Sequence, residues 1–599
     1  MSLYLRAAED LRANKPQWDA YEAAGHCVVL AGPGSGKTKL LTVKMARIVA
    51  EDTRPPRGVA CVTYSTECVR ELRRRLGKLG LDESRSLSVG TLHGFCLKHV
   101  LLPYAHLASF ALPSRLHVAG IKQQAQIFGK ALRSLNIGAA RGFRTDFDKF
   151  RRDHLDTKDW DTADEMARLA IAYEKALSAQ GLIDFEVMAR EAVMLVEQHP
   201  WVRKCLRARF PVLVVDEYQD LGTALHRLVL ALCFEAGVRL LAVGDPDQSI
   251  YGFTGAHPEH LQSLAARPDV KRFRLALNYR SGTRIVAAAK ATLPAEVDFE
   301  AETDEPGIVE YPGCDGGIEG EAAHLVDVLL PALLARWEPG DVLIAFRSKI
   351  EGGPVEAALK AKNHEYVKVG SSAAYPRSPL TRFVEEVARW CAGGWQTGDP
   401  KLSRVLGQWT TYQNLTDPEL IRAERLKLVR FMFDHRRRDA AADDWLQALE
   451  SGVMLVGDTR ARLLAGGDVD AFDDLREVVR PGNALEGFTV RNLAGQAGSR
   501  EHLNLITLHS SKGTEFPVVV LVGADEGSFP WSNVIAGSPQ EEEDRRLFYV
   551  GVSRARNELH ILWSKHVPGD RSRQGPSRFL REMHEKLKAG TPAGTGTSP

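Results

Sequence analysis

The string Ala31-Gly32-Pro33-Gly34-Ser35-Gly36-Lys37-Thr38 combines residue types that suit a nucleoside triphosphate. Glycines let the backbone turn its N–H groups toward phosphate oxygens, Lys37 adds a point charge on the outer phosphates, and Thr38 offers a hydroxyl to Mg²⁺. Ala31 stands where such a loop usually opens with glycine. Far downstream, Val212-Leu213-Val214-Val215 reads as a buried parallel strand whose carboxyl end presents Asp216 and Glu217. Asp216 can hold the magnesium, and Glu217 can polarise an attacking water. A glycine loop alone could be a structural turn. Joined to a strand-borne acid pair, it points to ATP hydrolysis assisted by Mg²⁺.

These residues need a scaffold that lines up several loops. Cys27-Val28-Val29-Leu30 is a short strand leading into the phosphate loop, and Lys39 to Val49 continues as a helix whose N-terminus faces the phosphates. Val59 to Thr63 is a second strand, followed by the helical, basic stretch Cys68 to Lys78. Leu240-Leu241-Ala242-Val243 is another, ending in Gly244-Asp245-Pro246-Asp247-Gln248. A second α/β pattern begins near Arg274, with strands at Val342 to Ala345, Val518 to Val522 and Leu559 to Leu562.

Two helical stretches interrupt these patterns, which places the first core at 1–100 and 185–273 and the second at 274–385 and 495–575. The stretch 101–184 carries the basic patch Lys149-Phe150-Arg151-Arg152, and 386–494 carries His435-Arg436-Arg437-Arg438. Residues 576–599 are expected to hold the end of a helix and a disordered small-residue tail. A chain of 599 residues exceeds the roughly 250–300 that one core supports, so several domains are expected. The eight cysteines form no C-x-x-C pair, so neither a zinc ribbon nor an iron–sulfur cluster is suggested. No apolar run approaches a membrane span, no signal-peptide core opens the chain, and reduced thiols fit a cytoplasmic location. A net charge of +1 does not by itself indicate nucleic-acid binding.

Further strings follow one another in an ordered series. They include Asn14-Lys15-Pro16-Gln17, Val62-Thr63-Tyr64-Ser65, Thr91-Leu92-His93-Gly94-Phe95 and Gly181-Leu182-Ile183-Asp184-Phe185. Val243 to Phe253, Leu277-Asn278-Tyr279-Arg280-Ser281, Thr507 to Phe516 and Glu543 to Ala555 complete it. In this order the chain resembles the superfamily 1 DNA helicases of the UvrD/Rep type, from Asn14 to about Ser564. The resemblance implies an α/β fold of two RecA-like parallel-sheet cores of the P-loop NTPase kind, each with a mainly helical insertion. It implies ATP-dependent movement, 3′ to 5′, on single-stranded DNA and unwinding of tailed duplexes, in repair, recombination or replication.

The resemblance also assigns roles. Gln17 would read the adenine edge, Tyr279 would stack on the base, and Glu515 would contact the nucleotide sugar. Gln248 would sense the γ-phosphate and report its loss to Tyr251 and Phe253. Arg280 and Arg554, taken as residues of the second core, would stabilise charge developing on the γ-phosphate once the cores close. Thr63, Tyr64, Thr91, His93, Tyr251, Phe253 and His509 are the expected DNA contacts, by phosphate bonding and base stacking. The chain departs from the family's usual Trp and Arg at Phe253 and Thr254, and from its usual Phe, Asn and basic residue around Tyr64, Ser65 and Thr66. These departures motivate a second expectation, a DNA-stimulated ATPase subunit of a defence or end-processing complex that unwinds weakly alone. No nuclease signature follows Arg554, so a nuclease would be a separate protein partner. A monomer or weak dimer is expected.

Overall fold

The computed structural model describes residues 3–81, 84, 86–108, 117–138, 142–294, 298–369, 374–413, 415, 417–455, 459, 469–496, 501–566 and 575–589. The chain forms two compact units, Met1–Pro306 with Gly537–Tyr549, and Gly307–Ala536 with Val550–Pro599. Each contains one six-stranded sheet, and every pair of neighbouring strands in it is parallel.

In the first unit the strands are β1 (His26–Ala31), β2 (Val59–Thr63), β3 (Leu87–Thr91), β4 (Val212–Val215), β5 (Arg239–Gly244) and β6 (Val270–Leu275), in spatial order β3-β2-β4-β5-β1-β6. Alternate residues of a strand point to opposite faces, and both faces are covered here. Cys27, Val29 and Ala31 pack with Leu40, Leu41 and Met45 from the helix after the phosphate loop. Val28 packs on the other face with Phe95, Val193 and Leu240. Burial on both faces explains why these strands read as continuous apolar runs. A consequence of the parallel order is that the loops after β1, β2, β4 and β5 all emerge at the same edge, where open α/β sheets bind ligands.

Between β3 and β4 lies a mainly helical segment with its own core, built around Phe128, Phe147, Trp160, Tyr173 and Leu177. Its basic patch is not a uniform solvated face. Arg151 is fully buried; its Nη1 and Nη2 donate to Asp184 at 2.7 and 2.9 Å, and its Nε donates to Glu174 at 2.9 Å. Asp184 in turn caps the helix Phe185–Gln198 by accepting from Val187 N at 3.0 Å.

The second unit holds β7 (Ile308–Glu310), β8 (Val342–Phe346), β9 (Tyr366–Val369), β10 (Leu503–Thr507), β11 (Phe516–Val522) and β12 (Ala555–Ile561), ordered β7-β12-β11-β8-β10-β9. Its helical segment, between β9 and β10, centres on Trp409, which stacks on Phe383 with ring centroids 5.1 Å apart. Because Leu380, Phe383 and Val384 belong to this helical core, the segment starts with the helix Pro379–Arg389, earlier than the expected 386.

The expected boundary at 273/274 falls inside β6, which pairs with β1, so the first unit continues past Arg274 to Pro306. The run at 435–438 follows the helix Pro418–Asp434 rather than lying on it. There the Arg436 guanidinium covers Phe433 and Trp395, and Arg438 pairs with Glu501. Near the C-terminus Arg578–Ala589 is helical, and the expected tail at 590–599 lies outside the described residues. Among the described residues no helix is long and apolar enough to cross a membrane.

Asp184→Ala leaves the buried Arg151 short of its bidentate partner and removes a helix cap. It is expected to lower the stability of the first unit by about 3–5 kcal/mol. Adding Arg151→Met should recover part of that loss, because the unpaired cation is gone while Glu174 keeps its bonds to Arg190 at 2.7 and 2.9 Å. Equilibrium denaturation of the two variants measures both effects.

Candidate functional site

The phosphate loop is shaped by close backbone approaches. Gly34 and Gly36 have φ of 68° and 79°, which favours glycine. A Cβ at Gly34 would lie 2.6 Å from Asn278 Oδ1, and one at Gly36 would lie 2.7 Å from Gln17 Nε2. Ser35 Oγ closes the loop by donating to Gly32 O at 2.7 Å. Lys37 and Thr38 then open the helix Lys37–Arg47, whose N-terminal N–H groups and positive dipole end favour anions.

A second segment is fastened to this loop. Asn278 Nδ2 donates to Pro33 O at 2.9 Å, and Tyr279 N donates to Gly34 O at 2.9 Å. The other end of the Asn278 amide accepts from Arg280 N at 2.8 Å and from Ser281 N at 2.9 Å. Arg280 therefore belongs to the unit that carries the phosphate loop. The expectation that it sits on the second core is corrected, and the cause is the Asn278 tether. Half-exposed Tyr279 accepts from Asn14 Nδ2 at 2.9 Å through its hydroxyl. Gln17 is buried, and its Nε2 donates to Ser35 O at 2.8 Å. Its amide N–H is thus engaged with the loop.

The acid pair sits at the end of β4. Asp216 N donates to Val62 O at 2.9 Å, and Asp216 Oδ1 accepts from Glu217 N at 3.1 Å. Glu217 adopts the left-handed conformation, φ 54° and ψ 46°. For a residue with a Cβ this costs on the order of 1 kcal/mol, so neighbours must hold it. Gln219 does so: its Nε2 donates to Glu217 Oε2 at 2.5 Å, while its Oε1 accepts from Asp245 N at 3.0 Å. Asp245 accepts in turn from Gln248 Nε2 at 2.6 Å. Burial pushes the Asp245 carboxyl up and the Lys37 cation pulls it back, so the phosphate-loop lysine and this acid share one field. Thr38 and Asp216 provide hydroxyl and carboxylate oxygens, the donor types Mg²⁺ takes alongside phosphate and water.

Beyond Gln248 the loop after β5 turns toward aromatic residues. Tyr251 stacks on Tyr64 with centroids 4.9 Å apart, and Tyr64 OH and Thr254 Oγ1 are hydrogen bonded at 3.0 Å. Phe253 lies 6.2 Å from Tyr251 and is 53% exposed, whereas Tyr64 and Tyr251 are part-buried. Thr63, Tyr64 and His93 line one small cavity with Leu221 and Leu225, and the buried Thr63 hydroxyl has no hydrogen-bond partner among the described residues. Burial lowers His93 to about 4, so it is neutral at pH 7. Thr91 caps the turn at Gly94 N, 3.1 Å away.

The remaining expected residues lie in the second unit. His509 follows β10 and is lowered to about 4 by burial and the nearby Arg347. Glu515 pairs with Arg556. Arg554 is buried and donates to Val550 O at 2.9 Å, Thr514 O at 3.2 Å and Ser553 Oγ at 2.8 Å. Residues passed over in the sequence are Asn278, Gln219 and Asp245, which build the connections, and Phe185, exposed and edge-on to His93 at 5.2 Å. The available signal was an amide or acid inside a string already singled out.

Residues 13–269 match the model of the UvrD/REP helicase N-terminal domain, and 482–566 match the UvrD-like helicase C-terminal domain. The chain is 27% identical to the ATP-dependent DNA helicase Rep of Escherichia coli, over 96% of this chain and 94% of that protein. It is 27% identical to DNA helicase II of Salmonella typhimurium, over 96% and 87%. It is 24% identical to the ATP-dependent DNA helicase PcrA of Staphylococcus aureus, over 94% and 85%.

One acid of the site gives a pH signature. Burial and the neighbouring Asp245 push Asp247 up to about 6, against the pull of Arg546 and Arg274. The folded state then binds more protons than the unfolded state, so this group's contribution to stability falls as pH rises from about 4 to about 6. Asp247→Asn is expected to melt higher than the parent above pH 6 and to lose that advantage below about pH 4. Scanning calorimetry across this range reads the difference.

Proposed function

Because the chain belongs to the UvrD/Rep-type superfamily 1 helicases, we propose that it is an ATP-dependent DNA helicase that translocates 3′ to 5′ on single-stranded DNA. The observation that carries this reading is the continuous polar path from Glu217 through Gln219, Asp245 and Gln248 into the loop bearing Tyr251 and Phe253. A change at the γ-phosphate has a covalent and hydrogen-bonded route to an exposed aromatic. Stacking of bases on such a ring is sequence-tolerant, as a translocase requires.

The residue roles follow from chemistry. Lys37 and the helix N-terminus bind the outer phosphates, and Thr38 and Asp216 hold Mg²⁺, which supplies charge neutralisation on the phosphates. Glu217 orients and deprotonates the attacking water. Arg280 and Arg554 answer the negative charge that develops during transfer. Gln17 and Tyr279 serve the base, and Glu515 serves the sugar. Thr63, Tyr64, Thr91, His93, Tyr251, Phe253 and His509 form the path of the strand. The first core, its helical insertion, the second core and its insertion divide the chain with boundaries moved to the strands described above. Repair, recombination or replication in the cytoplasm would supply the substrate.

Glu217→Gln should retain ATP binding and lower turnover by about 10²–10⁴, the usual contribution of a positioned base. Lys37→Ala should lose both binding and turnover. Nucleotide fluorescence together with phosphate release separates the two, and wild-type turnover by Glu217→Gln would remove it as the base.

Single-stranded DNA should stimulate hydrolysis, and the stimulation should fall steeply between about 50 and about 200 mM salt as released counterions are taken up again. A duplex with a 3′ tail should be separated faster than one with a 5′ tail. Preference for the 5′ tail overturns the polarity. Strong stimulation without separation of either duplex assigns the chain instead to the role of an ATPase subunit that relies on a partner.

A further inference from the structure

The helical segment of the first unit touches the aromatic loop through one side chain. Arg152, on the helix Phe143–Asp153, donates from Nη1 to Glu186 Oε1 at 3.0 Å and from Nη2 to Phe253 O at 3.3 Å. Its side chain is 18% exposed, and its Nε is buried without a hydrogen-bond partner among the described residues. The fit is close: a Cβ at Gly255 would lie 3.0 Å from Arg152 Cδ and 3.1 Å from Nε, and Gly255 has φ of 83°. On the other side of the same residue, Phe253 N donates to Glu543 Oε1 at 3.4 Å. A Cβ at Gly252 would lie 3.0 Å from Glu543 Oε2.

We propose that Arg152 and Glu543 clamp the main chain of Phe253 from opposite ends, and that Arg152 is a positioning residue that sets this aromatic ring for single-stranded DNA. The N–H of Phe253 is held by a carboxylate and its carbonyl by a guanidinium, while its ring is half exposed. A ring on a loop anchored at both polar ends of one residue keeps a single direction and loses less freedom when a base stacks on it. The bonds of Arg152 run to Glu186 and Phe253, whereas the polar path from Glu217 to Gln248 is carried by Gln219 and Asp245. The inference rests on the reading of Phe253 as a strand contact.

The test uses the full chain and an oligothymidylate, following ATP hydrolysis with and without DNA. Arg152→Gln is expected to leave basal turnover unchanged and to raise the DNA concentration for half-maximal stimulation about tenfold, the scale of one lost charge-assisted hydrogen bond. Arg152→Lys should recover part of the loss, and it carries the test if the glutamine variant does not fold. The decisive comparison places Arg152→Gln in a Phe253→Ala background. A positioning role predicts no further loss there. Additive losses would make Arg152 an independent DNA contact and overturn the proposal, as would an unchanged response in Arg152→Gln when Phe253→Ala is impaired. An unimpaired Phe253→Ala would instead remove the strand-contact reading and the clamp's purpose with it.

Discussion

The buried amide of Gln219 is the constraint on which the rest of the first unit's chemistry depends. It is fully buried, and its two polar ends are committed to different loops, one after β4 and one after β5. A buried amide left unpaired costs about 1–3 kcal/mol, so this residue holds both loops or neither. Its donor end keeps Glu217 in a left-handed conformation that the backbone alone disfavours. Its acceptor end approaches β5 so closely that a Cβ at Gly244 would lie 2.5 Å from Gln219 Oε1. Gly244 is therefore required by a side chain in another loop, and Asp245 begins its turn from a fixed point.

From that point the aromatic surface follows by sheet geometry. The strands β2, β4 and β5 are consecutive neighbours, each roughly 4.8 Å from the next, so their three loops meet at one edge. Tyr64 enters from the β2 loop, the acids from β4, and Tyr251 and Phe253 from β5. Stacking Tyr64 on Tyr251 buries most of both rings, which leaves Phe253 as the ring presented outward. Of the aromatic residues expected to stack on DNA, Phe253 is thus the most exposed.

Strands buried on both faces were legible in the sequence, because Val212–Val215 and Val518 to Val522 are unbroken apolar runs. Leu87–Thr91 was not, since it lies at the sheet edge and alternates with Ser88 and Gly90. Leu503–Thr507 was hidden by Asn504, whose Nδ2 donates to Gly340 O at 3.0 Å and so is satisfied inside the strand. The candidate phosphate-loop residues stood out because phosphate chemistry restricts both residue type and spacing. The placement of Arg280 did not, because it depends on the Asn278 amide reaching Pro33, 245 residues away in the chain. Single-sequence patterns carry periodicity, and a long-range amide bond leaves none.

The adjacent arginines of the first helical segment show the same limit in charge patterns. Both read as one basic patch, yet neighbours on a helix point roughly 100° apart and meet different surroundings. Arg151 enters the helical core and binds Asp184, the cap of the helix Phe185–Gln198. Arg152 faces outward from that core and binds Glu186, two residues further along, before reaching Phe253 O. Two arginines on one helix therefore grip the two acids at the start of another. That pairing fixes the register between the helices, and it is the second arginine that also reaches the loop. The position of the Phe253 backbone is thereby referred to the core of the helical segment, through a buried ion pair at one step and a guanidinium–carbonyl bond at the next.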